Sequence, residues 1–203
     1  MPQPPQQARS VDTEARILAT FEHLIETRPV ADVTVSAIAR EAACSMSSLY
    51  ARFPTKDALI EAYFDDFFDR SRAEAVAALG GAPAPPLRSL EEAVRRLVEF
   101  LVRGYRRNRG ALRALIFHDR QRPDSTFGRR TRALNQEVGQ LVVRMLVASA
   151  PPDRREHVLS RAGFGLWLVD AGAQHAILLD KLPGVEDPQL ERELTTVLFE
   201  RLS

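Results

Sequence analysis

Thirteen prolines decide where this chain can be regular, because each ring removes a backbone donor and clashes with the preceding helical turn. They fall in clusters: Pro2, Pro4 and Pro5, then Pro29, Pro54, Pro83 with Pro85 and Pro86, Pro123, Pro151 with Pro152, Pro183 and Pro188. Between these breaks apolar residues recur with helical period. Ile17, Leu18, Phe21, Leu24 and Ile25 form one stripe of a helix predicted over 12–27. Thr34 and Ser45 are suited to cap two short helices reaching about Ala42 and Phe53, and Thr55 opens a long one over 56–78, stopped by Gly80 and Gly81. Helical pattern resumes over 89–107 and, past a break at Asn108 and Gly110, through Ile116. Three more helices are predicted over 126–149, 154–180 and 188–202. No segment alternates like a strand, so the expected fold class is all-α, with about nine helices.

Composition narrows the class further. With 45% hydrophobic and 27% charged residues the chain is an ordered globular one. No apolar run approaches a bilayer span and the opening MPQPPQQARS has no apolar h-region, so a cytoplasmic protein without membrane association is expected. A single cysteine, Cys44, rules out an intrachain disulfide and reads as a small filler within a turn. His23, His118, His157 and His175 lack metal-ligand spacing, and no nucleophile, base and acid can be assembled from the sequence. No enzyme activity, metal or cofactor is therefore expected. The net charge is only +1, yet residues 103–132 hold ten arginines (Arg103, Arg106, Arg107, Arg109, Arg113, Arg120, Arg122, Arg129, Arg130 and Arg132) against two acids. That segment reads as a solvated face paired with acidic helices, with an anionic effector site as the alternative.

Two short helices joined by a tight turn, between two longer ones, have the layout of a helix-turn-helix. Ile38, Ala39 and Ala42 give the first an apolar face, and Leu49 and Phe53 do so for the second. The opposite face of the second carries Ser45, Met46, Ser47, Ser48 and Arg52, with Tyr50 at its flank, groups that suit phosphates and base edges. The stretch from Ile38 to Leu59, with its Ile-Ala pair, the Ser before the second helix, Leu49-Tyr50, Phe53 and Lys56-Asp57-x-Leu59, resembles the DNA-binding signature of the TetR family of ligand-responsive transcriptional regulators. The likeness covers roughly residues 12–60.

The resemblance implies that Thr34, Ser47, Tyr50 and Lys56 hold phosphates and that Ser45, Met46 and Ser48 face base edges. Four positions depart from the family pattern. Ala43 stands where glycine is usual, which costs about 1–2 kcal/mol if the residue is left-handed. Met46 replaces a common lysine, Ala51 a second tyrosine and Arg52 a histidine, so DNA affinity is expected to lean on Arg40, Arg52, Lys56 and the tail's Arg9. Further implications are a flexible tail over 1–11, a DNA-binding domain over 12–58 and an effector-binding and dimerisation domain over 59–203. Phe64, Phe67, Phe68, Phe100, Tyr105, Phe117, His118, Met145 and Trp167 are candidate effector-pocket residues. Gly163, Gly165, Gly172, Ala173, Leu194 and Leu198 are candidates for a homodimer interface. The expected function is that of a repressor released from a palindromic double-stranded operator by a small-molecule effector. The alternative is a helical sensor or adaptor whose basic segment binds an acidic partner without sequence-specific DNA binding.

Overall fold

A computed structural model describes residues 6–80, 87, 89–121 and 126–203, with side chains from residue 12 onward except those of residues 121 and 126. The side chain of Arg9, residues 1–5 of the expected tail, and Arg122 lie outside the described residues. Every regular element among them is helical: α1 (Gln6–Thr27), α2 (Val35–Glu41), α3 (Met46–Tyr50), α4 (Lys56–Leu79), α5 (Leu90–Arg107), α6 (Arg109–Gln121), α7 (Thr126–Ser149), α8 (Arg155–Ile177) and α9 (Asp187–Leu202), with single 3-10 turns at Val30–Asp32 and Pro152–Arg154. The all-α expectation therefore holds. The first helix begins at Gln6 and not near Asp12, since nothing between Pro5 and Asp12 breaks a helix. At the other extreme α3 stops at Tyr50, because Pro54 disfavours helical backbone at Phe53.

The chain divides into two compact units, Met1–Phe68 with Gly110–Phe127, and Asp69–Arg109 with Gly128–Ser203. In the first, Ile17, Phe21 and Leu24 of α1 are buried with Ile38 of α2, Leu49 of α3 and the α4 residues Leu59, Tyr63 and Phe64. The rings of Phe21 and Tyr63 meet edge-on at 5.2 Å, and Phe127 meets Phe64 at 5.2 Å and Phe68 at 5.6 Å. Gly110 lets α6 approach α1 closely: a Cβ there would stand 2.4 Å from the Ile25 carbonyl oxygen, and the Gly110 amide donates to Glu26 Oε2 at 3.2 Å.

In the second unit α5, α8 and α9 pack on one another through Leu97, Val98, Val102, Val158, Val169, Leu198 and Leu202. Gly165 and Gly172 of α8 lie beneath Leu198 and Leu194 of α9, where an added Cβ would meet their methyls at 2.7 and 2.9 Å. Three arginines of the basic segment are matched with acids. Arg106 pairs with Asp187 at 2.6 Å, Arg107 with Glu74 and Arg109 with Asp180.

The α2–α3 turn carries backbone strain at one residue. Ala43 has φ 49°, in the left-handed region, and the chain then returns so that the Cys44 amide donates to the Ala39 carbonyl at 3.0 Å. Left-handed alanine costs about 1–2 kcal/mol, and a glycine gives back about 0.4–1 kcal/mol through the freedom of its unfolded state. Ala43→Gly is accordingly expected to stabilise the fold by about 0.5–1 kcal/mol in urea denaturation. Destabilisation by that substitution would show that the turn is not under strain.

Candidate nucleic-acid interface

The two short helices are started by hydroxyl caps. Thr34 Oγ1 accepts from the Ala37 amide at 3.2 Å, and Ser45 Oγ accepts from the Ser48 amide at 3.1 Å, which satisfies donors that a seven- and a five-residue helix leave open. Each cap also bonds a second serine, Thr34 to Ser36 and Ser45 to Ser47, both at 3.0 Å. The structure thus brings Ser45, Ser47 and Ser48 together at the first turn of α3. Just past the end of that helix Arg52 Nη1 donates to both the Ser48 carbonyl at 2.8 Å and the Ser48 hydroxyl at 2.9 Å. A guanidinium held this way offers its planar fork beside the helix. Met46 and Tyr50 stand exposed on the outer face, Tyr50 with 47% of its surface open, so nothing in the protomer covers them.

Lys56 is placed differently from its sequence-based role. Its ammonium turns toward the 3-10 turn after α1 and donates to the Val30 carbonyl at 2.7 Å, with Ala31's carbonyl at 3.5 Å. Desolvation holds its pKa below the usual lysine value, against the raising effects of Asp57 and Asp32. An ammonium has three donors, so one remains beyond these two carbonyls. A second cation missed by sequence reading is Arg16, whose Nε donates to the Ala42 carbonyl at 3.0 Å and so closes the C-terminus of α2. Its signal was present only as a charge on the otherwise polar face of α1.

The candidate pocket residues separate between the two units. Phe64, Phe67, Phe68 and His118 belong to the aromatic core of the first, where His118 meets the Phe127 ring edge-on at 4.7 Å. Phe117 is exposed on α6, lining a cleft of about 370 Å³ with Ile25, Arg28, Val30 and Arg113. Phe100, Tyr105, Met145 and Trp167 belong to the second unit. Tyr105 donates to Asp170 Oδ1 at 2.8 Å. Desolvation pushes its hydroxyl above the ordinary tyrosine range, with the Asp170 charge adding to the rise. Desolvation likewise raises Asp170, while the hydrogen bond from Tyr105 pulls the other way.

The candidate interface residues separate as well. Ala173, Leu194 and Leu198 are buried inside the protomer and Gly172 faces Leu194, so these four form the α8–α9 seam of one chain. Gly163 faces outward with open space around its Cβ position. Beside it α8 exposes Leu159, Phe164, Trp167 and Leu168, with 61% of the Trp167 surface open, and Arg201 of α9 stands 5.3 Å over the Phe164 ring. The signal that could have found this second stripe is that α8 is apolar on two faces, more than one packed side requires.

Among the described residues, no group of three or more His, Cys, Asp or Glu side chains could hold a metal ion, and no helix is long and apolar enough to cross a membrane. Residues 17–63 match the family model of bacterial regulatory proteins, tetR family. Over 83 residues the chain is 32% identical to the HTH-type transcriptional regulator EthR of Mycolicibacterium smegmatis, a match that spans 41% of this chain and 38% of that one. The fold is similar to that of a TetR-family transcriptional regulator from Streptomyces coelicolor (22% identity, TM-score 0.70, 95% of each chain). It is also similar to a transcriptional regulator from Saccharomonospora viridis solved in complex with choline (16% identity, TM-score 0.72, 93% of this chain and 96% of that one).

The placement of Lys56 makes a stability prediction. Removing its ammonium leaves the carbonyl of the buried Val30 without this donor, which costs about 1–3 kcal/mol. Lys56→Met is expected to lower unfolding free energy by about 1–2 kcal/mol in urea denaturation with no DNA present. An unchanged midpoint would leave Lys56 no part in holding the turn.

Proposed function

We propose that this chain, whose residues 17–63 match the family model of bacterial regulatory proteins, tetR family, is a homodimeric repressor released from a palindromic operator by a small molecule. The observation that carries the reading is the exposed outer face of α3. Met46 and Tyr50 are uncovered there, beside a serine cluster and a guanidinium fixed on Ser48. A helix of this width with polar and aromatic groups at its tip fits a major groove, where phosphate contacts position it and base edges are read. Thr34, Ser47, Tyr50 and the remaining donor of Lys56 hold phosphates in this scheme. Ser45, Met46, Ser48 and Arg52 stand nearest the base edges.

Residues 12–58 act as the DNA-binding domain and 59–203 as the effector-binding and dimerisation domain. Only five residues separate α3 from α4, so a ligand that shifts α4 moves the recognition helix and changes half-site separation. Coupling of this kind is typically about 1–3 kcal/mol. The choline complex of a structural neighbour supports effector binding on such a fold. The mechanism contains no chemical step. Pairing of two copies is assigned to the outer stripe of α8, with Leu159, Gly163, Phe164, Trp167 and Leu168, because the other candidates are used within the protomer.

Two measurements test these assignments. Duplexes are selected from a random library with the wild-type protein, and binding is followed by fluorescence anisotropy across a salt series. Tyr50→Ala is expected to weaken selected and random duplexes alike, whereas Ser48→Ala changes the recovered sequence. Uniform loss from Ser48→Ala would remove it from base reading, and equal wild-type affinity for both duplexes would sink the repressor. Trp167 is the single tryptophan, so its emission reports the α8 face directly. Dimerisation is expected to shift that emission to shorter wavelength, and Phe164→Arg to give a monomer in sedimentation with red-shifted emission. A dimer that survives Phe164→Arg would place the interface elsewhere.

A further inference from the structure

The second unit contains a cleft of about 330 Å³ whose walls are Leu79, Leu87, Leu141 and Met145, and whose lining includes two arginines, Arg96 of α5 and the exposed Arg144 of α7. What sets these two arginines apart is their place on the wall of an apolar cleft, since Arg103, Arg155 and Arg161 also lack an ion pair among the described residues but line no such cleft. Arg72, Arg106, Arg107 and Arg109 of the same unit are matched with Glu137, Asp187, Glu74 and Asp180, but Arg96 and Arg144 make no ion pair or hydrogen bond among the described residues. The sequence from 81 to 88, GAPAPPLR, contains no carboxylate. We propose that this cleft binds an anion-headed amphiphile, with the head between Arg96 and Arg144 and the apolar body against Leu79, Leu141 and Met145. The proposal rests on the reading of the second unit as the effector-binding body and names the class of effector.

The electrostatics must be checked against the helix ends. Leu79, Gly80 and Ser149, at the C-termini of α4 and α7, line the same cleft, and each helix end carries roughly half a negative charge. Two guanidinium charges exceed two such half-charges, which leaves the cleft positive by about one charge and able to hold an anion. Its volume lies at the small end of the range for ligand sites, about 300–1,000 Å³, which favours a short apolar body over a long one. Carboxylate and phosphate heads share this chemistry.

Titration calorimetry of the full-length protein with octanoate, octyl phosphate, octanol and octyltrimethylammonium separates the possibilities. Either anion is expected to bind at least about tenfold more tightly than the alcohol and the cation, and the tighter of the two identifies the head group. Arg96→Gln and Arg144→Gln are each expected to weaken the anion about tenfold. Ala148→Phe, which projects a ring from an exposed position on the cleft wall, should block binding while thermal unfolding remains near wild type. Equal affinity for all four compounds, or anion binding that both glutamine variants leave untouched, overturns the proposal. Release of the selected DNA duplex by the bound anion is read separately. Binding without release upholds the cleft and refutes its effector role, and absence of DNA binding by the wild type refutes the repressor alone.

Discussion

The helices that meet DNA in this reading have seven and five residues, far below the length at which an isolated helix is stable in water. Their existence depends on burial of the aromatic stripe of α4 against α1. Tyr63 is the central residue of that contact: its ring lies 5.2 Å from Phe21 and 5.0 Å from Phe64, and its hydroxyl donates to Glu22 at 3.1 Å. With α1 and α4 fixed, Ile38 and Leu49 have an apolar surface to cover, and each short helix is held by one large buried side chain and one hydroxyl cap. The polar groups of α3 are left outside, bonded to one another and to Arg52.

Cations in the same unit show why residue type does not settle role. Arg16, Arg52 and Lys56 all stand near the α2–α3 hairpin or the 3-10 turn before it, and each spends part of its donor set on a backbone carbonyl of a short element. Short helices and turns leave carbonyls open at their C-termini, and a cation is the natural donor for them. Residues 1–60 hold six basic and seven acidic groups, a balance consistent with a hairpin whose few cations first complete the fold. What remains on the outer face is a small set of hydroxyls, one aromatic ring and one oriented guanidinium.

The second unit sorts its residues by a different rule. Small residues on α8 are used where α9 crosses it: Gly165 and Gly172 make room for Leu198 and Leu194, and the seam closes inside one chain. Sequence periodicity identifies such positions as close-contact sites without saying which neighbour approaches. The large apolar residues left on the opposite face of α8 then become the informative ones, since Phe164 and Trp167 are more than half exposed. Arginines divide similarly: Arg106 and Arg109 meet Asp187 and Asp180, while Arg96 and Arg144 line a cleft walled by leucine and methionine.

Proline placement and 3.6-residue periodicity determined the helical class, the helix order and the turn at Ala43, because these depend on steric and hydrophobic effects within a few residues. The Ile38-to-Leu59 pattern carries the match to the tetR family model for the same reason: the hairpin is a local unit whose caps and apolar contacts lie close in sequence. Tertiary structure decided the rest. It placed Lys56 on Val30, separated the aromatic residues between two units, placed Leu194 and Leu198 inside the protomer, and left Arg96 and Arg144 facing an apolar cleft. Each of those outcomes depends on which distant segment lies opposite a side chain, and a periodic pattern on one helix specifies its buried face but not the partner that buries it.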